Sequence, residues 1–237
     1  MTRTVAVVQA RLGSSRFPEK MLARLGEWTL LEWVVTRVRK CQRVDLVVVA
    51  TTTDSIDDRL VDECNRLGVA VVRGSTNDVL ARFIEAISND TCDAVVRVCA
   101  DNPFIDPACV DAAITAYRTE AVDYAFNHRP HGSCNYADGF GAEVVSRALL
   151  ERLNATQLSA PHREHVTLAV IDGVIQANIH ACIAPSSLAR PDLRFDVDHP
   201  EDLVRLRALV SNGGVTLDST AAEVVAEADL HGATGSP

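Results

Sequence analysis

Gln9-Ala10-Arg11-Leu12-Gly13-Ser14-Ser15-Arg16-Phe17-Pro18-Glu19-Lys20-Met21 is the stretch whose reading decides the fold. It follows Thr4-Val5-Ala6-Val7-Val8, an apolar β-branched run that reads as a buried first strand. Beyond it, Glu27 to Lys40 carries Leu30, Leu31, Val34, Val35 and Val38 at the spacing of one helix face. A strand that leads into a short basic loop and then a helix marks an anion site at the carboxyl edge of an α/β sheet. Gly13 lets the backbone turn tightly and bring N–H groups close to a phosphate. Ser14 and Ser15 add hydroxyl donors, and Arg11, Arg16 and Lys20 supply charge, so the loop reads as a triphosphate cradle. A Walker A loop is excluded because Lys20 follows Glu19 and precedes Met21, and the dinucleotide fingerprint because Gly13 has no glycine two residues on. Charge alone leaves a solvated basic surface loop as the alternative.

Outward from this loop, strands and helices alternate. Asp45 to Ala50 reads as a second buried strand, followed by a helix through Leu67 that Asp54 or Ser55 can cap and Gly68 can end. Val69 to Val72 is the third strand, and Val79, Leu80, Phe83, Ile84 and Ile87 mark the next helix, with Ser75 or Asn77 as its expected cap. Asp93 to Cys99 is the fourth strand, and Asp106-Pro107 starts a helix. Leu193 to Asp202 reads as a strand entering a helix with Pro200 in its first turn. Ser219 or Thr220 starts a last short helix, and His231 to Pro237 reads as a frayed tail. His128, His131 and Cys134 match no standard zinc spacing.

Composition bounds the function. A chain of 237 residues, 47% apolar, is ample for one α/β domain. The net charge of −9 argues against nucleic acid as a partner. Neither a long apolar run nor a charged-then-apolar leader is present, so the expectation is a cytoplasmic protein with no membrane span. Seven cysteines without a Cys-x-x-Cys pair read as reduced core fillers. An acidic protein that holds a polyphosphate needs local basic residues and a metal cation.

Ala10-Arg-Leu-Gly-Ser-Ser-Arg-Phe-Pro-Glu-Lys20 resembles the signature loop of bacterial cytidylyltransferases that make CMP-activated acidic sugars. The similarity is to the spore-coat-polysaccharide (SpsF-type) branch, related to the CMP-sialate and CMP-KDO synthetases. Several motifs recur in order, to about the helix after Pro200. The resemblance implies a Rossmann-like nucleotidyltransferase domain, mostly parallel with helices on both faces. It also implies a small antiparallel excursion, about residues 127–182, for the acceptor and for homodimerisation.

It further implies a CTP-dependent enzyme using Mg²⁺. Ala10, Arg11, Leu12, Gly13, Ser14, Ser15, Lys20, Arg73 and Ala100 would bind nucleotide, with Arg73 near the cytosine and Lys20 and Arg11 on the developing phosphoryl charge. Asp101 and Asp198 would be the metal ligands, each expected at the end of a strand. Without the resemblance, Asp101 before Asn102-Pro103 reads as a turn former. Asn102, Asp138, Glu143, Arg163 and His165 would face an anionic acceptor. Asn135-Tyr-Ala-Asp-Gly-Phe-Gly-Ala-Glu-Val144 is similar to the family's Asp-Gly-Leu-Asp-Val-Glu segment, but Gly141 stands where an aspartate is usual, which leaves the acceptor open between a sugar acid and a small phosphonate. Arg129, Arg163 and Arg190 lie in segments that could reach such an anion. His162-Arg-Glu-His-Val166 resembles a family helix start; His162 and His165 read as polar contacts to acceptor or second subunit, with a shared metal as the weaker option. His165 and Asp138 are general-base candidates by position only. The rivals are a uridylyl-, guanylyl- or glycosyltransferase on a similar sheet, and a non-catalytic nucleotide-binding module.

Overall fold

The computed structural model describes residues 2–128 and 134–231. Arg129, His131 and all but the first residue of the expected tail lie outside them. The described strands are β1 (Thr4–Gln9), β2 (Arg24–Leu25), β3 (Trp28–Thr29), β4 (Leu46–Thr52), β5 (Ala70–Gly74), β6 (Ala94–Cys99), β7 (Tyr124–Phe126), β8 (Glu143–Ser146) and β9 (Ile179–Ala181). The described α-helices are α1 (Leu30–Val38), α2 (Asp58–Arg66), α3 (Val79–Ile87), α4 (Pro107–Thr119), α5 (Arg147–Ala155), α6 (Ala160–Glu164), α7 (Leu168–Ile171), α8 (Pro200–Ser211) and α9 (Ala221–Leu230).

Seven strands form one sheet in the order β5-β4-β1-β6-β8-β7-β9, and β2 and β3 form a separate antiparallel pair. The strands β5, β4, β1 and β6 run parallel, whereas β8 is antiparallel to both β6 and β7. The chain winds from β1 outward through β4 to β5, then crosses back to lay β6 on the other side of β1. That reversal opens a crevice beyond the carboxyl ends of β1 and β6, where open α/β sheets place ligands. β7 and β8 form an antiparallel pair at this end of the sheet, β7 lying just ahead of the expected 127–182 excursion, and β9 joins parallel to β7 at the edge.

β1 is covered on both faces, with Val5, Ala6, Val7 and Val8 all fully buried. Ala6, Val8, Val96 and Val98 pack with Trp33, Phe104 and Phe195 on one face, while Val5, Val7 and Val95 pack with Phe83 and Tyr124 on the other. Such two-sided burial explains the unbroken apolar runs. Phe195 stacks on Phe140 at 4.8 Å between ring centroids and leans on Phe104 at 6.0 Å, tying the late chain to the first half.

Local expectations hold where a cap is unambiguous. Asp106 accepts from Cys109 N at 2.9 Å ahead of Pro107, Thr220 and Glu223 form a capping box, and Gly68 takes φ +58° after α2. Others need correction. The first helix begins at Leu30 and not Glu27, because Trp28–Thr29 pairs back onto Arg24–Leu25 and Thr29 caps Glu32 N at 3.1 Å. Asp78 caps α3 through Ala81 N at 2.9 Å, in place of Ser75 or Asn77. Leu193–Val197 is not a strand of the sheet; it makes one bridge, Arg194 to Asp138, and a hydrogen bond from Val197 N to Asp101 O at 2.8 Å. His165 ends the short α6 and does not open a helix. All seven cysteines are free thiols. Among the described residues no helix is long and apolar enough to cross a membrane.

Candidate active site

The basic loop is built from its first residues outward. Ala10 N donates to Ala50 O at 3.1 Å, extending the β1–β4 ladder by one rung. Leu12 is fully buried, and its N–H donates to Asp57 Oδ1 at 2.7 Å. Asp57, itself fully buried in the turn after β4, also accepts from Thr51 Oγ1 at 3.0 Å and Thr52 N at 3.2 Å. Leu12 O accepts from Ser14 N at 2.8 Å and Glu19 N at 3.0 Å, which closes the loop. Glu19 sits in the left-handed region at φ +58°, turning the chain so that Lys20 enters the crevice.

Gly13 is not required by the turn, though it does line the cavity. Its φ is not left-handed, and a Cβ there would meet no atom within 4 Å. The missing side chain therefore serves neither the turn nor the packing; it keeps backbone open on a cavity.

Lys20 is the centre of that cavity's charge. Its Nζ donates to Asp101 Oδ2 at 2.9 Å, to Asp198 Oδ1 at 3.2 Å and to Val197 O at 2.7 Å. Arg16 Nη1 lies 3.1 Å from Asp198 Oδ2. The two aspartates, nearly a hundred residues apart in sequence, thus converge on one ammonium. Burial pushes the Lys20 pKa down, but Asp101 and then Asp198 outweigh it, and the net shift is upward from 10.5. A raised lysine pKa means this cluster stabilises the fold fully below the ordinary lysine value and loses that contribution only as pH rises through the raised one. Lys20 is a fixed cation at neutral pH.

The cavity measures about 430 Å³ and is lined along one side by Ala10, Arg11, Gly13, Ser14, Ser15, Arg16 and Lys20. Its other walls include Gln9, Arg82, Arg97, Cys99, Ala100, Asp101, Glu164, His165 and Asp198. Five cationic side chains face three carboxylates there, in a chain whose net charge is −9. Burial pushes the Cys99 thiol up to about 12, so it stays protonated and is no nucleophile. Arg11 Nη2 reaches Glu164 Oε1 at 3.5 Å.

Of the other expected residues, Leu12 supports the loop from beneath. Arg73 does not line the cavity: its guanidinium donates to Thr52 O at 2.8 Å and Asp54 O at 2.9 Å and pairs with Asp58 at 2.7 Å. Arg163 is held outside it by Asp78 at 2.5 Å and Asn154 at 2.8 Å, docking α6 on the cap of α3. Arg190 is paired with Asp192 and Asp229. His162 bridges Ser159 and Asp172, each at 3.0 Å, so it shares no ligand set with His165. Asn102 is buried beneath the turn after β6, and Asp138 lies 3.7 Å from His128. Glu143, 1% exposed, accepts from Arg97, from Tyr124 OH at 3.0 Å and from Thr167 Oγ1 at 2.6 Å. Gly141 has a packing reason: a Cβ would come within 2.5 Å of both Asn127 O and Asn127 Oδ1. Asn127 uses that space to accept from Ala142 N at 2.9 Å and donate to Cys109 O at 2.6 Å.

Three site residues escaped the sequence reading. Asp57 follows the two expected cap residues Asp54 and Ser55 and has no distinguishing sequence signal of its own. Arg82 is 3% exposed on an otherwise apolar face of α3, with its Nε unpartnered among the described residues and its stem passing where a Gly74 side chain would be. Arg97 stands alone as a charge in the apolar strand Ala94-Val-Val-Arg-Val-Cys99, a signal that could have been read.

Comparison with known proteins follows this geometry. The Cytidylyltransferase family model matches residues 5–170. The chain is 33% identical over 231 residues to the spore coat polysaccharide biosynthesis protein SpsF of Bacillus subtilis, covering 95% of this chain and 93% of that protein. It is 29% identical to a 3-deoxy-manno-octulosonate cytidylyltransferase of Anaeromyxobacter, over 90% of this chain and all of that one. A solved cytidylyltransferase from Leptospira borgpetersenii superposes with a TM-score of 0.89 at 25% identity, covering 98% of this chain and 96% of that chain. With its loop, its two converging aspartates and a family match over most of its length, the chain belongs to the cytidylyltransferases, CTP-dependent nucleotidyltransferases.

Proposed function

We propose that this enzyme transfers CMP from CTP to a small anionic acceptor, an acidic sugar such as a nonulosonic acid or a small phosphonate, and releases pyrophosphate. The observation that carries the reading is Lys20 Nζ, bound to both Asp101 and Asp198 on the floor of a cavity walled by the Ala10–Arg16 loop. Two carboxylates on an open cavity suit Mg²⁺, which takes one or two carboxylates together with phosphate oxygens and water. Asp101 and Asp198 would hold it, and when bound it would supply charge neutralisation for the triphosphate.

The chain's own residues do the rest by position and charge, as phosphoryl-type chemistry requires. An acceptor oxygen attacks the α-phosphorus in line, and the bond to the bridging oxygen of pyrophosphate breaks. Gly13 and Ser15 offer backbone N–H groups to the phosphates. Ser14 N–H is committed to Leu12 O, so the Ser14 hydroxyl is its remaining donor. Lys20 and Arg11 face the charge that develops on the phosphoryl oxygens. Asp57, by gripping Leu12 N, fixes the height of the loop over the sheet. For a sugar hydroxyl, His165 on the cavity wall is the group able to take the proton; a phosphonate arrives ionised and needs none. The same reading makes residues 1–237 a single cytoplasmic domain that works as a homodimer. Ile179 and Ile183, exposed at the β9 edge, support an apolar contact there.

Pyrophosphate release, measured with each nucleoside triphosphate against sugar acids, small phosphonates and sugar 1-phosphates, tests this function. Turnover is expected with CTP and an anionic acid, in the presence of Mg²⁺. Transfer only to a neutral acceptor or to a sugar 1-phosphate would overturn the acceptor class.

A further inference from the structure

The loop end of the cavity is matched to a triphosphate, whereas the sheet contributes to its wall an arginine that the proposed chemistry does not use. Arg97 lies in β6, in register with Val7 of β1 on one side and Glu143 of β8 on the other. Its side chain is 12% exposed and lines the cavity. Nε donates to Gln9 Oε1 at 3.1 Å and Nη1 to Glu143, while Nη2 has no partner among the described residues. Tyr124 and Thr167 fix Glu143 from behind. A guanidinium held on two of its edges, with a third group left at the wall of a cavity, is a prepared anion receptor.

We propose that Arg97 receives the anionic group of the acceptor, carboxylate or phosphonate, and that Glu143 positions Arg97 without touching the acceptor. The proposal rests on the CMP-transfer reading above. Arg97 is two residues, roughly 7 Å, from the end of β6, and Asp101 follows just beyond that end. A small molecule with its anion on Arg97 can therefore present an oxygen toward the phosphates gathered at Lys20. Glu143 is unsuited to direct contact. It is 1% exposed, it already accepts from three side chains, and a carboxylate facing the acceptor would repel it.

Removing Arg97 alone would leave Glu143 buried and unpaired, which destabilises folds. The test therefore uses Arg97→Lys, which keeps the charge but loses the fork, and the paired variant Arg97→Gln with Glu143→Gln, which replaces the ion pair by two amides. Thermal unfolding first identifies folded protein. Steady-state kinetics then follow acceptor KM, CTP KM and kcat, with a sugar acid and a small phosphonate as separate arms. Both variants should raise acceptor KM roughly ten- to a hundredfold, the worth of a charge-assisted hydrogen bond, with CTP KM changed less than about twofold. Glu143→Gln alone should also raise acceptor KM; a fall would mean that Glu143 had been repelling a directly contacted anion. Unchanged acceptor KM in a folded paired variant overturns the assignment, as does an effect confined to CTP KM. Wild-type enzyme that turns over neither anionic acceptor would sink the anionic-acceptor reading and this inference together, whereas normal wild-type turnover with unresponsive variants sinks only the inference.

Discussion

The two ends of the cavity hold their cations in opposite ways. At the loop end, Lys20 lies between Asp101 and Asp198, whose side chains remain 28% and 24% exposed and which come from irregular segments. At the sheet end, Arg97 is anchored by Glu143, which is 1% exposed on the neighbouring strand and braced by Tyr124 and Thr167. The first arrangement can exchange partners, because accessible carboxylates can turn toward a metal while the buried Lys20 ammonium keeps Val197 O and receives the arriving phosphates in their place. The second cannot, since freeing Glu143 would leave a carboxylate stranded in the interior. One end suits a ligand that brings charge and cations with it. The other suits a ligand that must find its receptor already shaped.

The largest effect is expected at the exchangeable end. Lys20→Ala removes a donor aimed at developing charge and leaves two carboxylates facing each other. It should cut kcat roughly 10²–10³-fold while the protein stays folded. A folded variant with more than half of wild-type kcat would remove Lys20 from the mechanism and erase the distinction between the ends.

Next come the carboxylates. Asp101→Asn and Asp198→Asn should each shift the Mg²⁺ titration to higher concentration and slow turnover, on the order of tenfold or more. A titration unchanged in either variant would make that residue a structural partner of Lys20 only.

This contrast also explains what was legible in the chain. The parallel half of the sheet was readable because strands buried on both faces are forced into unbroken runs such as Thr4–Val8 and Leu46–Ala50. At the loop end the charge of Arg11, Arg16 and Lys20 was legible, but Asp101 and Asp198 were picked out only through the family resemblance, since Asp101 by itself reads as a turn former. The short strands β7, β8 and β9 have no such signature: Tyr124–Phe126 is three residues long, and its pairing depends on Glu143–Ser146 nearly twenty residues later. Arg97 and Glu143 matter through each other across two strands, and a pairing of that kind is invisible until the register is known. Asp57 was missed for a related reason. Nothing in a helix-starting acid announces that its carboxylate reaches back 45 residues to Leu12 N.

Asp57 offers a third and smaller break. Asp57→Asn keeps the shape but turns one acceptor oxygen into a donor facing Thr52 or Leu12, at a cost of about 1–3 kcal/mol. The expected signs are a lower Tm and a raised CTP KM with acceptor KM little changed, since the loop end alone loosens. A raised acceptor KM of equal size would show that the two ends move as one.

The smallest effect is expected at Arg73, which the family resemblance sets near the cytosine. Its guanidinium is occupied by Thr52 O, Asp54 O and Asp58, holding the end of β5 against the turn that carries Asp57. Two hydrogen bonds and a half-exposed ion pair are together worth about 1–2 kcal/mol. Arg73→Gln should therefore lower Tm modestly and leave the preference for CTP over UTP intact. Base choice is sensitive to any group that pairs directly with the exocyclic position, because exchanging amine for carbonyl leaves a buried partner unmatched. Collapse of the CTP-to-UTP ratio of kcat/KM in a well-folded Arg73→Gln enzyme would put the guanidinium on the base after all, and would require it to leave Asp58 when nucleotide binds. The loop end would then exchange partners at its outer rim as well as at Lys20.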